Sequence, residues 1–284
     1  MESTNKGYSR LKKSVFTSVI ITTYNWPSAL DKVLCALKEQ TDAQFEIIVA
    51  DDGSSNETAR CVDEAKRDHP IHIEHIWQPD TGFQAAKIRN KAVSKARGDY
   101  LVFIDGDCIP LHNFIQRHRL LAEQNWFVAG NRTLLSEQFT HRYLLNDNLA
   151  LPTSLYQWFL LWKDQYCNRL QPLLFFPLLP RKFQAKKWQG AKTCNLGVWR
   201  KDFLTVNGFD ESYQGWGYED SDLVIRLIKS GVGRKDGRFA VPVVHLWHKE
   251  QGRAHAAENL IRCEQRLTDN VIKANIGVTQ YLEN

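Results

Sequence analysis

Three groups of acidic residues stand at spacings that suit chemistry. Asp105-Gly106-Asp107 sets two carboxylates on either side of a glycine, at the end of the apolar run YLVFID. Such oxygens suit a hard divalent cation, Mn2+ or Mg2+, which keeps positions open for the oxygens of a diphosphate. Asp51-Asp52-Gly53-Ser54 ends the run FEIIVA, and its two acids can accept hydrogen bonds from a base N–H and from ribose hydroxyls. Glu219, Asp220 and Asp222, in GWGYEDSD, crowd the start of a helix. Like charges there raise a carboxyl's proton affinity while the helix dipole lowers it. Each group also has a plainer use. Asp and Gly are ordinary turn formers, one of Asp51 and Asp52 would serve an Asx turn, and Asp222 would cap its helix. Trp216, between two glycines, suits either stacking on a sugar face or burial in a core.

The elements that must position these residues are legible in the hydrophobic periods. VFTSVIITTY (15–24), FEIIVA (45–50), IHIEHI (71–76) and YLVFID (100–105) read as strands. Helical patterns at 27–37, 57–67, 84–96 and 111–124 follow them in turn. Strand–helix alternation of this kind predicts an α/β fold, a mostly parallel Rossmann-like sheet with helices on both faces. Ligands of such sheets bind beyond the carboxyl ends of the strands, which here carry TTYN, DDGS and DGD. Residues 133–190 break the alternation. After them come CNLGVWRKDFLTVNGFDE, the helix of SDLVIRLIKSG, a strand at 240–248 and a final helix at 255–270. The chain divides accordingly into 1–132, an aromatic and basic insert at 133–190, and 191–284.

Several classes are excluded. The turn after the first strand has no glycine and no GxxxxGK[ST] occurs, so neither the dinucleotide fingerprint nor the P-loop is present. The composition, 43% apolar and 24% charged, is that of a globular protein. The formal net charge of +5 resides in residues 151–190, where six basic residues face one acid. The rest of the chain is neutral, unlike a generally basic nucleic-acid binder, and no nucleic acid is expected. Six scattered cysteines without a CxxC pair read as reduced thiols of a cytoplasmic protein. The start MESTNKGYSRLKK does not read as a secretory signal, and no stretch approaches the roughly 18 apolar residues of a bilayer span.

SVIITTYN, IIVADDGS and YLVFIDGD, in this order, resemble the nucleotide-sugar domain of family 2 glycosyltransferases, which have the GT-A fold. TGFQAAKIRNKAV is similar to the bacterial chondroitin and hyaluronan polymerases of that group. NGFDESYQGWGYEDSDLVIRL resembles the carboxyl-terminal, acceptor-side module shared with galactosyltransferases and polypeptide GalNAc-transferases. The resemblance covers about 15–132 and 189–250. It implies that Thr23, Tyr24 and Asp52 line a uridine pocket with Asp51 beside them, and that Arg89 lies near the diphosphate. It implies metal ligation by Asp107 directly and by Asp105 partly through ribose, completed by a histidine. His245 and His248 compete for that place; the HKE context favours His248, and His245 also suits a core position inside VVHLW. Asp220 is implied as the catalytic base and Glu219 as the holder of an acceptor hydroxyl. Asn195 and Arg200 are further residues expected to face the site.

The resulting expectation is a metal-dependent, inverting glycosyltransferase that moves a sugar from a UDP-sugar to a saccharide acceptor. That acceptor would be a cell-surface glycan such as a lipopolysaccharide core, met at the inner face of the cytoplasmic membrane. Residues 151–190 would supply contact with anionic lipid, an acceptor surface, or a plain lid. A sugar-1-phosphate nucleotidyltransferase is the alternative enzyme, but TTYNWP is not its glycine- and arginine-rich phosphate loop. A non-catalytic saccharide-binding module would have no need of both DGD and the ED pair.

Overall fold

The computed structural model describes residues 15–146, 148–170, 173–176, 179–249 and 255–282. The amino-terminal MESTNKGYSRLKK, expected not to be a secretory signal, lies outside the described residues. The first half alternates as its periods predict: β1 (Thr17–Thr23), α1 (Pro27–Lys38), β2 (Phe45–Asp51), α2 (Asn56–Asp68), β3 (Ile73–Trp77), α3 (Ala85–Lys95) and β4 (Tyr100–Asp105). Next come β5 (Cys108–Pro110), α4 (Phe114–Leu121), β6 (Trp126–Ala129), β7 (Asn131–Leu134), α5 (Glu137–Leu145) and α6 (Leu155–Lys163). The chain closes with β8 (Asn195–Trp199), α7 (Arg200–Thr205), α8 (Glu219–Lys229), β9 (Gly233–Asp236), β10 (Pro242–His245) and α9 (Ala256–Thr268).

Seven strands form the main sheet in the order β3-β2-β1-β4-β8-β6-β9. Every neighbouring pair is parallel except those made by β8, which runs antiparallel to both β4 and β6. Because side chains alternate along a strand, each strand feeds two cores. Val19, Ile21, Val49, Val102 and Ile104 pack on one face with Leu30, Val33 and Leu34 of α1. Ile20, Ile48, Leu101 and Phe103 pack on the other with Ile88 and Val93 of α3 and Leu223 and Leu227 of α8. Burial on both faces explains why these strands read as continuous apolar runs.

A smaller sheet, β5-β10-β7, sits beside the end of β4. The strand expected over 240–248 shortens to Pro242–His245, so Leu246, Trp247 and His248 leave it as a loop. The described residues of 133–190, which lack an alternating pattern, hold the end of β7, then α5 and α6, and run otherwise mainly as turns and irregular backbone. Among the described residues no helix is long and apolar enough to cross a membrane.

Candidate active site

Parallel register brings the three sequence motifs to one edge. Thr23 lies opposite Asp51 and Thr22 opposite Asp105, so β1, β2 and β4 end together. The DGD turn then folds back on β1, with the Gly106 N–H donating to the Thr22 carbonyl at 2.7 Å. A Cβ at Gly106 would stand 3.0 Å from the Thr23 hydroxyl, which is why a side chain is unwelcome there.

The two acids of DDGS have separate duties. Asp51 is fully buried, accepts the Ser54 N–H at 2.8 Å and pairs with His75 Nε2 at 2.9 Å. It is the turn-forming acid, held within the protein. Asp52 accepts from Gln78 Nε2 and from the Gln84 N–H, each at 2.7 Å. Burial pushes its carboxyl up, against the pull of those two bonds. Tyr24 is half exposed, and its hydroxyl donates to Asp80 at 2.8 Å. Gln78 and Asp80 carry no sequence signal of their own and Gln84 falls within TGFQAAKIRNKAV; the β3–α3 loop folds all three over DDGS.

Asp107 meets both histidines. His248 Nε2 lies 3.3 Å and His245 Nε2 3.7 Å from its Oδ2. His245 is therefore not simply a core residue, although it is 8% exposed and burial holds its ring below the usual pKa. Its Nδ1 is buried without a hydrogen-bond partner. His248 Nδ1 approaches the Lys249 carbonyl at 2.9 Å, which leaves Nε2 as the lone-pair nitrogen facing Asp107. Asp105 titrates at about 6, raised by burial and by Asp107 and lowered by Arg89. Two carboxylates and two imidazole Nε2 atoms are a mixed O and N donor set that fits a divalent cation such as Mn2+.

Arg89, from α3, is buried and reaches three partners. Nε donates to Thr22 Oγ1 at 2.8 Å, Nη1 to Glu219 at 3.0 Å and Nη2 to Asp105 at 3.3 Å. Burial opposes its charge, but Glu219 and Asp105 outweigh that and hold it firmly protonated. Asp220, next to Glu219 at the start of α8, is half-buried and titrates at about 7. Burial is the main cause and the Glu219 charge the second, while Arg89 and Lys192 oppose them. A carboxylate poised there can take a proton near neutral pH. Gly215 and Gly217 both have positive φ, and Tyr218 enters α8 through the left-handed region. This tight turn carries Trp216, 39% exposed and three residues before Glu219.

Three expectations need correction. Asn195 is buried at 1% exposure, its amide donating to the carbonyls of Asn131 and Val241 and its Oδ1 lying 3.1 Å from His118 Nε2. It ties the small sheet to the large one and does not face the cleft. Arg200 follows Trp199, which pairs with Tyr100 at the beginning of β4. Antiparallel β8 therefore carries it to the opposite edge of the sheet. Asp222 is not a cap: it is fully buried between Arg226, at 2.7 Å, and Arg266, at 2.8 Å. The scattered cysteines also hide a cluster, since Cys108 and Cys194 come together behind Asp105.

The sequence pattern described as glycosyl transferase family 2 matches residues 18–179, more than half of the chain. The chain belongs to that family. A second pattern, described as the N-terminal domain of galactosyltransferase, matches residues 175–249 of this glycosyltransferase and so covers the Trp216–Asp220 turn. Chondroitin synthase of Pasteurella multocida (strain Pm70) is 27% identical over 244 residues, 79% of this chain and 24% of that protein. Validoxylamine A glucosyltransferase of Streptomyces hygroscopicus subsp. jinggangensis (strain 5008) is 27% identical over 271 residues, 87% of this chain and 59% of that one. The chain thus spans from about a quarter to three-fifths of these relatives. Among solved structures, S. aureus TarS 1–349 superposes with a TM-score of 0.61 at 13% identity, covering 93% of this chain and 68% of that chain. The mannosyltransferase PcManGT of Pyrobaculum calidifontis, in complex with GDP-Man and Mn2+, gives 0.59 at 18%, covering 96% and 69%. GalNAc-T7 with UDP, GalNAc and Mn2+ gives 0.62 at 17%, covering 88% and 48%. The enzyme has the GT-A fold of these neighbours.

Proposed function

We propose that this glycosyltransferase moves a sugar from a UDP-sugar to a saccharide hydroxyl with inversion, supported by Mn2+ or Mg2+. The observation that carries it is the link that Arg89 makes between Asp105 and Glu219, which sets the histidine-flanked Asp105 and Asp107 on one side and Asp220, next to Glu219, on the other. Neighbours bound to UDP or to Mn2+ support the donor and the metal class.

Thr23, Tyr24 and Asp52 form the uridine end, Asp51 and Gln78 setting the shape of that loop. Asp105, Asp107 and the histidines would hold the cation, which would supply counter-charge for the departing diphosphate. The Asp220 carboxylate accepts the acceptor's hydroxyl proton while that oxygen attacks the anomeric carbon. The bond to the diphosphate oxygen breaks on the opposite face. Arg89 occupies one Glu219 oxygen and leaves the other for an acceptor hydroxyl. Trp216 supplies an apolar face for the acceptor ring.

The acceptor class that fits is a cell-surface glycan, such as a lipopolysaccharide core, presented at an anionic membrane. Support comes from α6, where Leu155, Tyr156, Phe159, Leu160 and Trp162 are all exposed and Trp158 alone is buried. Lys163, Arg169, Lys182, Lys186 and Lys187 are exposed in the same cationic segment, which suits anionic lipid and would repel a second copy of itself. Arg181 is not part of that surface. Its guanidinium is spent on the carbonyls of Phe176, Asp236 and Arg238.

Incubating the enzyme with a panel of nucleotide sugars, with and without Mn2+, tests the donor and metal together. Metal-dependent release of UDP from one UDP-sugar is the expected result. Release that is indifferent to metal, or confined to non-uridine donors, would refute the reading.

A further inference from the structure

Behind the DGD turn lies a second group of metal-binding atoms. Asp105, Cys108 and Cys194 each offer one ligand atom, all within 4.8 Å of one another, and Asp107, Cys108 and His245 form an overlapping trio. The backbone dictates this meeting. Cys108 opens β5 directly after the turn, and Cys194 precedes Asn195, which pairs with Ile104, so the sheet register sets Cys194 beside Asp105. Both thiols are free, buried at 0% and 7% exposure, and the Cys108 sulfur lies 3.5 Å from Asp107 Oδ1. His245, 8% exposed, brings an imidazole ligand atom within 4.8 Å of Cys108 and Asp107.

We propose that Asp105, Cys108 and Cys194, with His245 adjoining, form a cation position that takes a thiophilic divalent ion of the Zn2+ or Cd2+ class. In tetrahedral geometry two ligands each about 2.3 Å from the ion stand about 3.8 Å apart, so atoms at the 4.8 Å limit close by about 1 Å when the ion binds. Each thiol that binds gives its proton to solvent as the sulfur–metal bond forms, and no redox step is involved. Zn2+ stands well above Mn2+ in affinity for mixed N, O and S donors. Taking Asp105 from the cleft, the ion acts as an inhibitor of metal-supported donor binding. This last consequence alone rests on Asp105 and Asp107 holding the catalytic cation.

The test is a titration of metal-free enzyme with Co2+ and with Cd2+, without nucleotide, followed by thiolate-to-metal charge-transfer absorbance. One saturable equivalent is expected, with release of protons to a weakly buffered solution. Cys194→Ser and Cys108→Ser each weaken the band by about half or more, while Cys35→Ser, at an exposed thiol far along the sequence, retains it in full. No saturable band in the wild type overturns the proposal without recourse to any variant. A band that survives in the Cys108→Ser/Cys194→Ser double variant overturns it as well. In a second arm, Zn2+ is added to enzyme holding labelled UDP and Mn2+, and at least a tenfold loss of UDP affinity is expected. Should the charge-transfer band appear although UDP binding never required Mn2+, the thiol position stands and the catalytic-metal reading falls.

Discussion

Arg89 donates to Glu219 at 3.0 Å across 130 positions of sequence, joining the nucleotide half of the cleft to the α8 turn. The same guanidinium holds Asp105 and Thr22, so one buried side chain sets the spacing between the DGD carboxylates and the proposed base. Arg89 is a positioning residue. Lysine preserves the charge but has no planar fork to hold three acceptors at once. Arg89→Lys is expected to lower kcat by about 10–100-fold with a smaller change in KM for the donor. Arg89→Gln removes a charge that holds Asp220 and Asp105 down, so the acid limb of the pH–rate profile moves to higher pH. An unmoved acid limb in Arg89→Gln would assign Arg89 to stability alone.

Asp107 is the carboxylate nearest both histidines. Asp107→Ala is expected to abolish transfer and to make UDP binding insensitive to Mn2+, because the diphosphate loses its counter-charge. Isothermal titration of UDP with and without Mn2+ measures this. Equal Mn2+ enhancement in variant and wild type would move the metal elsewhere.

Asp220 titrates at about 7, so activity should rise with pH through that value as the base is uncovered. Asp220→Asn is expected to cost about 10²–10⁴-fold in kcat and to remove that limb. The stability effect has the opposite sense. A carboxyl raised in the fold favours folding fully below its unfolded pKa, near 3.8, and loses that contribution as pH climbs through about 7. Asp220→Asn should therefore match the wild type near pH 3 and gain on it above pH 7. With solvent reaching the site, the gain is about 1–2 kcal/mol. Thermal melts across pH 3–8 provide the readout.

Asn195 separates structure from chemistry. Asn195→Ala leaves the carbonyls of Asn131 and Val241 without their donor, at a cost of about 1–3 kcal/mol each way of counting the lost bonds. The melting temperature should fall while the donor KM of the folded enzyme holds. A selective rise in donor KM would return Asn195 to the cleft.

For the membrane contact, Lys186→Gln with Lys187→Gln should weaken binding to anionic vesicles about 30-fold, at about 1 kcal/mol per basic residue. Phe159→Ser with Trp162→Ser should weaken it further, in a manner insensitive to salt. Vesicle sedimentation at low and high salt separates the two. Wild-type enzyme that ignores anionic vesicles at low salt ends the idea.

Much of this architecture is written in short-range pattern. The apolar runs at 15–24, 45–50 and 100–105 announce strands covered on both faces, and TTYN, DDGS and DGD mark their carboxyl ends. Parallel strands joined by helices must end at one edge, so the meeting of those motifs follows from the sequence alone. What tertiary structure decided is everything that depends on register and on long-range contact. β8 enters the sheet antiparallel, which buries Asn195, sends Arg200 to the far edge and delivers Cys194 to Asp105. The loop after β10 turns His248 back so that it and His245 both face Asp107. Asp222 spaces like a cap, yet α9 brings Arg266 against it and makes it a buried ion pair. Periodicity records which face of an element is apolar; the partner across that face comes from another part of the chain, and only folding selects it.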